Sequence, residues 1–200
     1  MVTRFAAFLG SYLIGSIPTA YLLVKWFKRI DVRTIGSGNV GATNAARVAG
    51  VKVAALVFLI DAAKGLIAVR IIAPWLFQPA TLTGQLSCGL MAILGHNFPI
   101  FLAFRGGKGV STTLGVLLGT MPAVAGVCLL MLVVCVLISR YVSVGALAAA
   151  VTLPVAQLLT HQTRSEVLLG AVLAFLVIVQ HRANIGRLLQ GREHRIGKTS

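Results

Sequence analysis

Three short stretches of this sequence gather the side chains that could do chemistry, and each sets them among glycines. The first, residues 36–47, reads Gly-Ser-Gly-Asn-Val-Gly-Ala-Thr-Asn-Ala-Ala-Arg. Small residues let a backbone approach a ligand closely, and successive N–H groups in such a loop form a concave anion site, most of all where a helix begins. The backbone at Gly38, neutral donors on Ser37, Asn39, Thr43 and Asn44, and the planar fork of Arg47 together suit a phosphate. Gly36, Gly38 and Gly41 also satisfy G-x-G-x-x-G, with Asp61 twenty residues beyond the last glycine. A dinucleotide site needs a strand before the loop and a βαβ unit around it, whereas Asp61 lies inside an apolar helical stretch, which excludes that reading.

The second stretch, residues 95–113, holds His96, then Arg105-Gly106-Gly107-Lys108-Gly109, then Ser111, Thr112 and Thr113. It is not a Walker loop, because Lys108 is followed by Gly109 rather than Ser or Thr and no glycine stands where G-x-x-x-x-G-K requires one. What remains is an anion site: Gly107 and Lys108 in a glycine turn, with three hydroxyls at the start of a short helix whose N-terminus favours negative charge. His96, at a helix end, either bonds a carbonyl or takes part in the chemistry. The third stretch, residues 181–197, places His181 and Asn184 at i, i+3, so one helix face presents an imidazole and an amide; the later arginines suit anionic lipid headgroups.

Asp61 and Lys64, also i, i+3, sit within an apolar stretch, where ionisable groups are costly and are functional candidates by default. They are either a self-neutralising pair that orients the helix, or a lysine directed at the anion site with Asp61 holding it. Ser143, just after Arg140 and Tyr141, is a further candidate donor. Cys88, Cys128 and Cys135 lie inside apolar runs without CxxC or Cys/His spacing and read as small hydrophobes.

These residues need elements to position them, and the composition says what kind. Of 200 residues 58% are hydrophobic and 11% charged, against about 25% charged in a soluble domain, and the formal net charge is +14. Mean hydropathy is +0.93. Such a chain is neither an acidic disordered tail, a secreted disulfide scaffold nor an average cytosolic enzyme. A nucleic-acid binder would carry its cations on polar elements rather than between apolar runs, so no nucleic-acid partner is expected.

A transmembrane helix needs about 20 apolar residues. Stretches 5–27, 53–73, 82–103, 122–139 and 142–160 approach that length, and 167–180 is a shorter sixth. Residues 110–120 are apolar but too short to span alone and read as a half-helix. Counted as an element, it puts Arg4, Arg70 and Arg164 outside and Lys64 within a span, and the other fourteen of the 18 basic residues, Lys198 among them, on the cytoplasmic side, as the positive-inside rule requires. The expected architecture is therefore an all-α integral membrane protein of about seven transmembrane helices including the half-helix, N-terminus outside and C-terminus cytoplasmic. Residues 1–200 read as one transmembrane domain. The first stretch fits a retained span rather than a signal peptide, kinked near Gly15, Ser16 and Pro18.

Taken together and in this order, the three stretches and Asp61-Ala62-Ala63-Lys64-Gly65 resemble the motifs of the bacterial acyl-phosphate:glycerol-3-phosphate acyltransferase family, the PlsY type, over nearly the whole chain. The resemblance implies an inner (plasma) membrane enzyme, facing the cytoplasm, that moves a fatty acyl group from acyl phosphate to the first hydroxyl of glycerol 3-phosphate. Lysophosphatidate and phosphate are released, in the first acylation of phospholipid biosynthesis. By motif position it implies Ser37, Arg47, Lys108, His181 and Asn184 as core site residues, with Lys64 and Ser143 supporting phosphate binding and Glu193 needed for integrity. It implies membrane lipid and the two substrates as partners, a functional partnership with the enzyme that makes acyl phosphate, and no cofactor or metal.

The residues themselves agree with that chemistry. Acyl phosphate is a mixed anhydride with a good leaving group, so direct attack needs no enzyme nucleophile, and none can be assembled from four acids and three apolar-run thiols. His181 could deprotonate the glycerol hydroxyl, or the phosphate of glycerol 3-phosphate could take the proton instead. The H-x-x-x-x-D arrangement of other glycerolipid acyltransferases is missing, since Phe101 stands five after His96 and Gly186 five after His181. Two other classes remain open on sequence: a transporter for phosphorylated anions, which would use broken helices and an intramembrane Asp/Lys pair, and a lipid-binding scaffold, which leaves the glycine loops unexplained.

Overall fold

The structure is a computed structural model that describes residues 2–76 and 81–197. Lys198 and residues 77–80 of the expected outer loop lie outside the described residues. Every regular element among the described residues is helical, and the helices group into two compact units, Met1–Thr120 and Met121–Ser200.

The first unit opens with α1 (Val2–Ser16) and α2 (Thr19–Lys28), one apolar run broken at Ile17 and Pro18, where the proline ring removes a donor and forces the turn. The expected kink is there. A short helix, α3 (Ala42–Ala49), follows and leads through Gly50 into α4 (Val51–Ile67). This run continues as a π-helical turn (Ala68–Ile72) and α5 (Ala73–Leu76). Then come α6 (Leu82–Asn97), a 3-10 turn (Ile100–Leu102) and α7 (Val110–Thr120). Glycines set the packing distances. A Cβ on Gly95 of α6 would stand 2.1 Å from the Tyr12 carbonyl oxygen of α1, and one on Gly115 of α7 would stand 1.8 Å from that of Ala62 in α4. Small residues let helix backbones touch in this way where no hydrophobic drive between helices exists.

The second unit starts with α8 (Pro122–Ser139), whose first-turn proline is preset for a helix and which ends at Arg140 in the left-handed conformation, φ 62°. It packs against α9 (Val142–Leu159), and α9 packs against α10 (Arg164–Gln180). The α10 start lies three residues before the expected one because Thr163 and Glu166 form a capping box. At His181 the chain bends by 57° into α11 (Arg182–Leu189).

Among the described residues four runs are long and apolar enough to cross a membrane, Val2–Lys28, Leu82–Leu102, Pro122–Ser139 and Val142–Leu159, and there are five if the bent α10–α11 pair is taken as one span. The expected span at 53–73 is not among them. It lies inside a continuous helical run, but Asp61, Lys64 and Arg70 put three charges into it. The half-helix expected at 110–120 coincides with α7.

Candidate active site

In the first unit, residues 31–47 form a tight polar loop closed by one side chain. Asn44 is buried at the start of α3; its Oδ1 accepts the Ser37 N–H at 2.9 Å, while its Nδ2 donates to the carbonyls of Val32 at 2.9 Å and Ile35 at 3.1 Å. Asn44 is thus the loop's internal staple, and the sequence reading of it as a donor to ligand is corrected. The Gly38 amide likewise donates within the loop, to the Ile35 carbonyl at 3.2 Å, with φ 67°. Around this frame Ser37 is exposed and Asn39 half-buried, and Thr43 and Arg47, i and i+4 on α3, are exposed on one face.

The second glycine loop wraps the end of α6. Gly106 and Gly107 donate their N–H groups to the carbonyls of Asn97 at 3.2 Å and His96 at 3.0 Å, and a Cβ on Gly107 would lie 2.0 Å from His96 Nε2. The amides of Gly38 and Gly107, both read from sequence as facing an anion, therefore serve their own turns, because a tight turn satisfies its buried N–H groups first. Lys108 follows, half-buried. Of the hydroxyls expected at the start of α7, Thr112 and Thr113 are buried, and only Ser111 is half-buried.

Beneath these loops lies a buried ionic cluster. Lys64 donates to Asp61 Oδ1 at 2.7 Å and to the Ile17 carbonyl, and His96 Nδ1 stands 3.7 Å from the same Asp61 oxygen. A small cleft of about 10 Å³ is lined by Gly15 to Thr19 of the α1–α2 break, by Val40 of the first loop, and by His96, Pro99, Gly106 and Gly107. The structure so brings both glycine loops, and the backbone that Lys64 holds, to one place. His96, left open on sequence, is the side chain between the Asp61 carboxylate and the Gly107 backbone.

In the second unit, His181 sits at the corner between α10 and α11, buried, with Nδ1 2.8 Å from the Val177 carbonyl oxygen. A carbonyl only accepts, so Nδ1 carries the proton and the lone pair of the neutral ring is on Nε2. Three residues on, Asn184 Nδ2 donates to Glu193 Oε1 at 2.7 Å; Ser143 Oγ donates to the same oxygen at 3.2 Å, and Arg187 Nε to Oε2 at 2.7 Å. Burial alone would push the Glu193 carboxyl up, but these three donors outweigh it and hold it below the usual carboxylate range. Sequence reasoning gave Ser143, Asn184 and Glu193 three separate roles; the structure joins them through one carboxylate. It missed Arg187 as the fourth member, for which the only signal was a lone acid six residues further along a basic tail.

The family model described as "Glycerol-3-phosphate acyltransferase" matches residues 5–191. A glycerol-3-phosphate acyltransferase of Thermoanaerobacter pseudethanolicus is 42% identical over 188 residues, 94% of this chain and 93% of that protein. One of Bartonella henselae is 45% identical over 196 residues, covering 98% and 92%. Among solved structures, the glycerol 3-phosphate form of PlsY (YgiH), an integral membrane glycerol 3-phosphate acyltransferase, superposes with a TM-score of 0.90 at 38% identity, covering 97% of this chain and 96% of that one. Its lysophosphatidic acid form superposes at 0.87 with 36% identity, covering 97% and 95%.

Proposed function

Because this chain belongs to the glycerol-3-phosphate acyltransferase family and acylates glycerol 3-phosphate in phospholipid synthesis, we propose that its donor is acyl phosphate and that the acyl group passes directly between the substrates. The C1 hydroxyl oxygen of glycerol 3-phosphate attacks the acyl carbonyl carbon, the acyl C–O bond to phosphate breaks, and inorganic phosphate leaves with the electron pair. The hydroxyl proton goes to His181 Nε2. The observation that carries this reading is the Nδ1–Val177 pairing, which fixes the tautomer a general base needs. Asn184, held by Glu193, steadies the imidazole or the hydroxyl. Substrate phosphate as the proton acceptor remains the second reading.

Ser37, Arg47, Lys64 and Lys108, with Asn39 and Thr43, bind phosphate and offset the charge of two anionic substrates, the main electrostatic obstacle to the reaction. Gly38 and Gly107 keep the loop backbones small enough for that, and Asp61 holds Lys64 in place. Ser143 supports the site through Glu193. Residues 1–200 serve as a single transmembrane acyltransferase domain.

The chain lies in a bacterial inner membrane with seven elements: α1–α2, the α4–α5 run, α6, α7 as a half-span, α8, α9 and α10–α11. The charged second element is tolerable because Asp61 and Lys64 neutralise each other. Its N-terminus is outside and its C-terminus cytoplasmic, which puts the motif loops with the basic residues on the cytoplasmic side. Membrane lipid surrounds it, and the reactivity of a mixed anhydride favours a functional partnership with the enzyme that makes acyl phosphate. The relatives are acyltransferases, and nothing among them supports the transporter alternative.

The test supplies purified protein in detergent with acyl phosphate and glycerol 3-phosphate, without metal or coenzyme A, and follows phosphate and lysophosphatidate together. Equal release of both supports the proposal. Turnover with acyl-coenzyme A alone overturns the donor, and glycerol phosphate counterflow in liposomes without acylation overturns the enzyme reading.

A further inference from the structure

We infer that Tyr141 and Arg195 are positioning residues: they clasp the C-terminal segment over the α8–α9 turn so that Glu193 is delivered to Asn184. The inference rests on the reading that Asn184 takes part in the reaction. After α11 the described residues 190–197 have no regular structure, yet they are tied on both sides of Glu193. On one side Gly191, at φ 66°, reverses the chain, with its N–H on the Leu188 carbonyl at 3.0 Å and the Arg192 N–H on the Arg187 carbonyl at 2.8 Å. On the other, the Arg195 guanidinium lies over the Tyr141 ring at 5.1 Å and its Nε donates to Tyr141 Oη at 2.9 Å, while the Ile196 N–H donates to the Arg140 carbonyl at 2.9 Å. Arg140, Tyr141 and Ser143 thus receive Ile196, Arg195 and Glu193 in antiparallel order.

In a segment whose residues 191–197 are otherwise exposed, Glu193 alone is buried, and it points at the start of α9 and at Asn184. A carboxylate at a helix N-terminus is favoured there by the backbone dipoles. A tail tethered only at Gly191 would have to find that place from many conformations, and the entropy of ordering it falls on the Asn184 contact. The second tether at Tyr141 and Arg195 removes most of that freedom before substrate binds, and a side chain held by such support keeps the geometry that catalysis needs. Arg195 therefore acts through its ring contact rather than as one more cation for lipid headgroups, and Arg192, whose guanidinium donates to Gln190 of the same segment, separates the two ideas.

The experiment compares Arg195→Ala, Tyr141→Ala and Arg192→Ala for kcat and KM, each also in a Glu193→Gln background, with amide deuterium exchange of segment 190–197. The expected result is a three- to tenfold loss of kcat for Arg195→Ala and Tyr141→Ala with KM little changed. The Ile196 amide should exchange faster in both, Arg192→Ala should stay within twofold of the parent, and the two losses should vanish in the Glu193→Gln background, as coupled positions require. Tyr141→Phe, which keeps the ring, should recover most of the rate. Equal losses for Arg192→Ala and Arg195→Ala, or losses that persist undiminished beside Glu193→Gln, overturn the clasp. Full turnover by Asn184→Ala would instead overturn the role of Asn184, while the exchange data would still report whether the clasp exists.

Discussion

His181 Nδ1 is 2.8 Å from the carbonyl oxygen of Val177, one turn back on α10, at the point where the helix bends by 57° into α11. The bond fixes both the ring's plane and its tautomer. Replacing His181 by Ala is expected to lower kcat roughly 100-fold or more, the usual weight of general acid–base catalysis, with a much smaller change in KM for glycerol 3-phosphate. Steady-state kinetics in detergent decides the point. Full turnover by the variant would move the proton to the substrate phosphate.

Glu193 is the second test. Its carboxylate receives Asn184, Ser143 and Arg187, and its pKa is depressed, so the stability it contributes is present at neutral pH and is lost as the pH falls through the acid range below the ordinary carboxylate value. Glu193→Gln is expected to flatten part of that acid limb in a thermal-melt series. Asp31, which Arg33 holds down to about 2 through its hydrogen bonds, is untouched by the substitution and leaves its own part of the limb intact. At neutral pH Glu193→Ala should cost about 1.5–3 kcal/mol, the range for hydrogen bonds to a charged group, and lower kcat by loosening Asn184.

Asn44 gives a prediction about binding rather than turnover. Asn44→Asp keeps an acceptor for the Ser37 N–H but loses both donations, and it sets a buried acid against the carbonyls of Val32 and Ile35. The expected outcome is a loss of about 1–3 kcal/mol of stability and at least a tenfold rise in KM for glycerol 3-phosphate with kcat little altered. Gly107→Ala should behave alike, because its Cβ must displace His96 and with it the loop that carries Lys108. A kcat loss without a KM rise in both would detach these loops from substrate capture.

How far the sequence carried each of these features follows from the range of the interaction. The limits of α7 and α8 were readable because Gly109 and Pro122 punctuate them locally, and the kink at Pro18 needed only the missing N–H of one residue. Asn44, by contrast, makes its bonds to backbone groups seven, nine and twelve residues away, whose positions depend on left-handed turns at Gly36 and Gly38 that no side-chain pattern displays. Ser143 and Glu193 are fifty residues apart in the chain, and only the return of the tail joins them. His96 was left ambiguous for the same reason: its partner Asp61 is on another helix.

The Asp61–Lys64 pair separates a structural from a functional use of buried charge. Removing Asp61 alone strands an ammonium that is 4% exposed, and breaking such a pair costs about 3–5 kcal/mol. Lys64→Met should cost less, because the Asp61 carboxylate still has His96 Nδ1 3.7 Å away. The double variant Asp61→Leu/Lys64→Met leaves no orphan charge, so it should recover most of the melting temperature lost by Asp61→Leu. If the pair only orients the helix, activity returns with stability. If Lys64 serves the phosphates, the double variant melts near the parent yet keeps a raised KM. The second outcome is expected, since the Lys64 ammonium also holds the Ile17 carbonyl at the cleft where the two glycine loops meet.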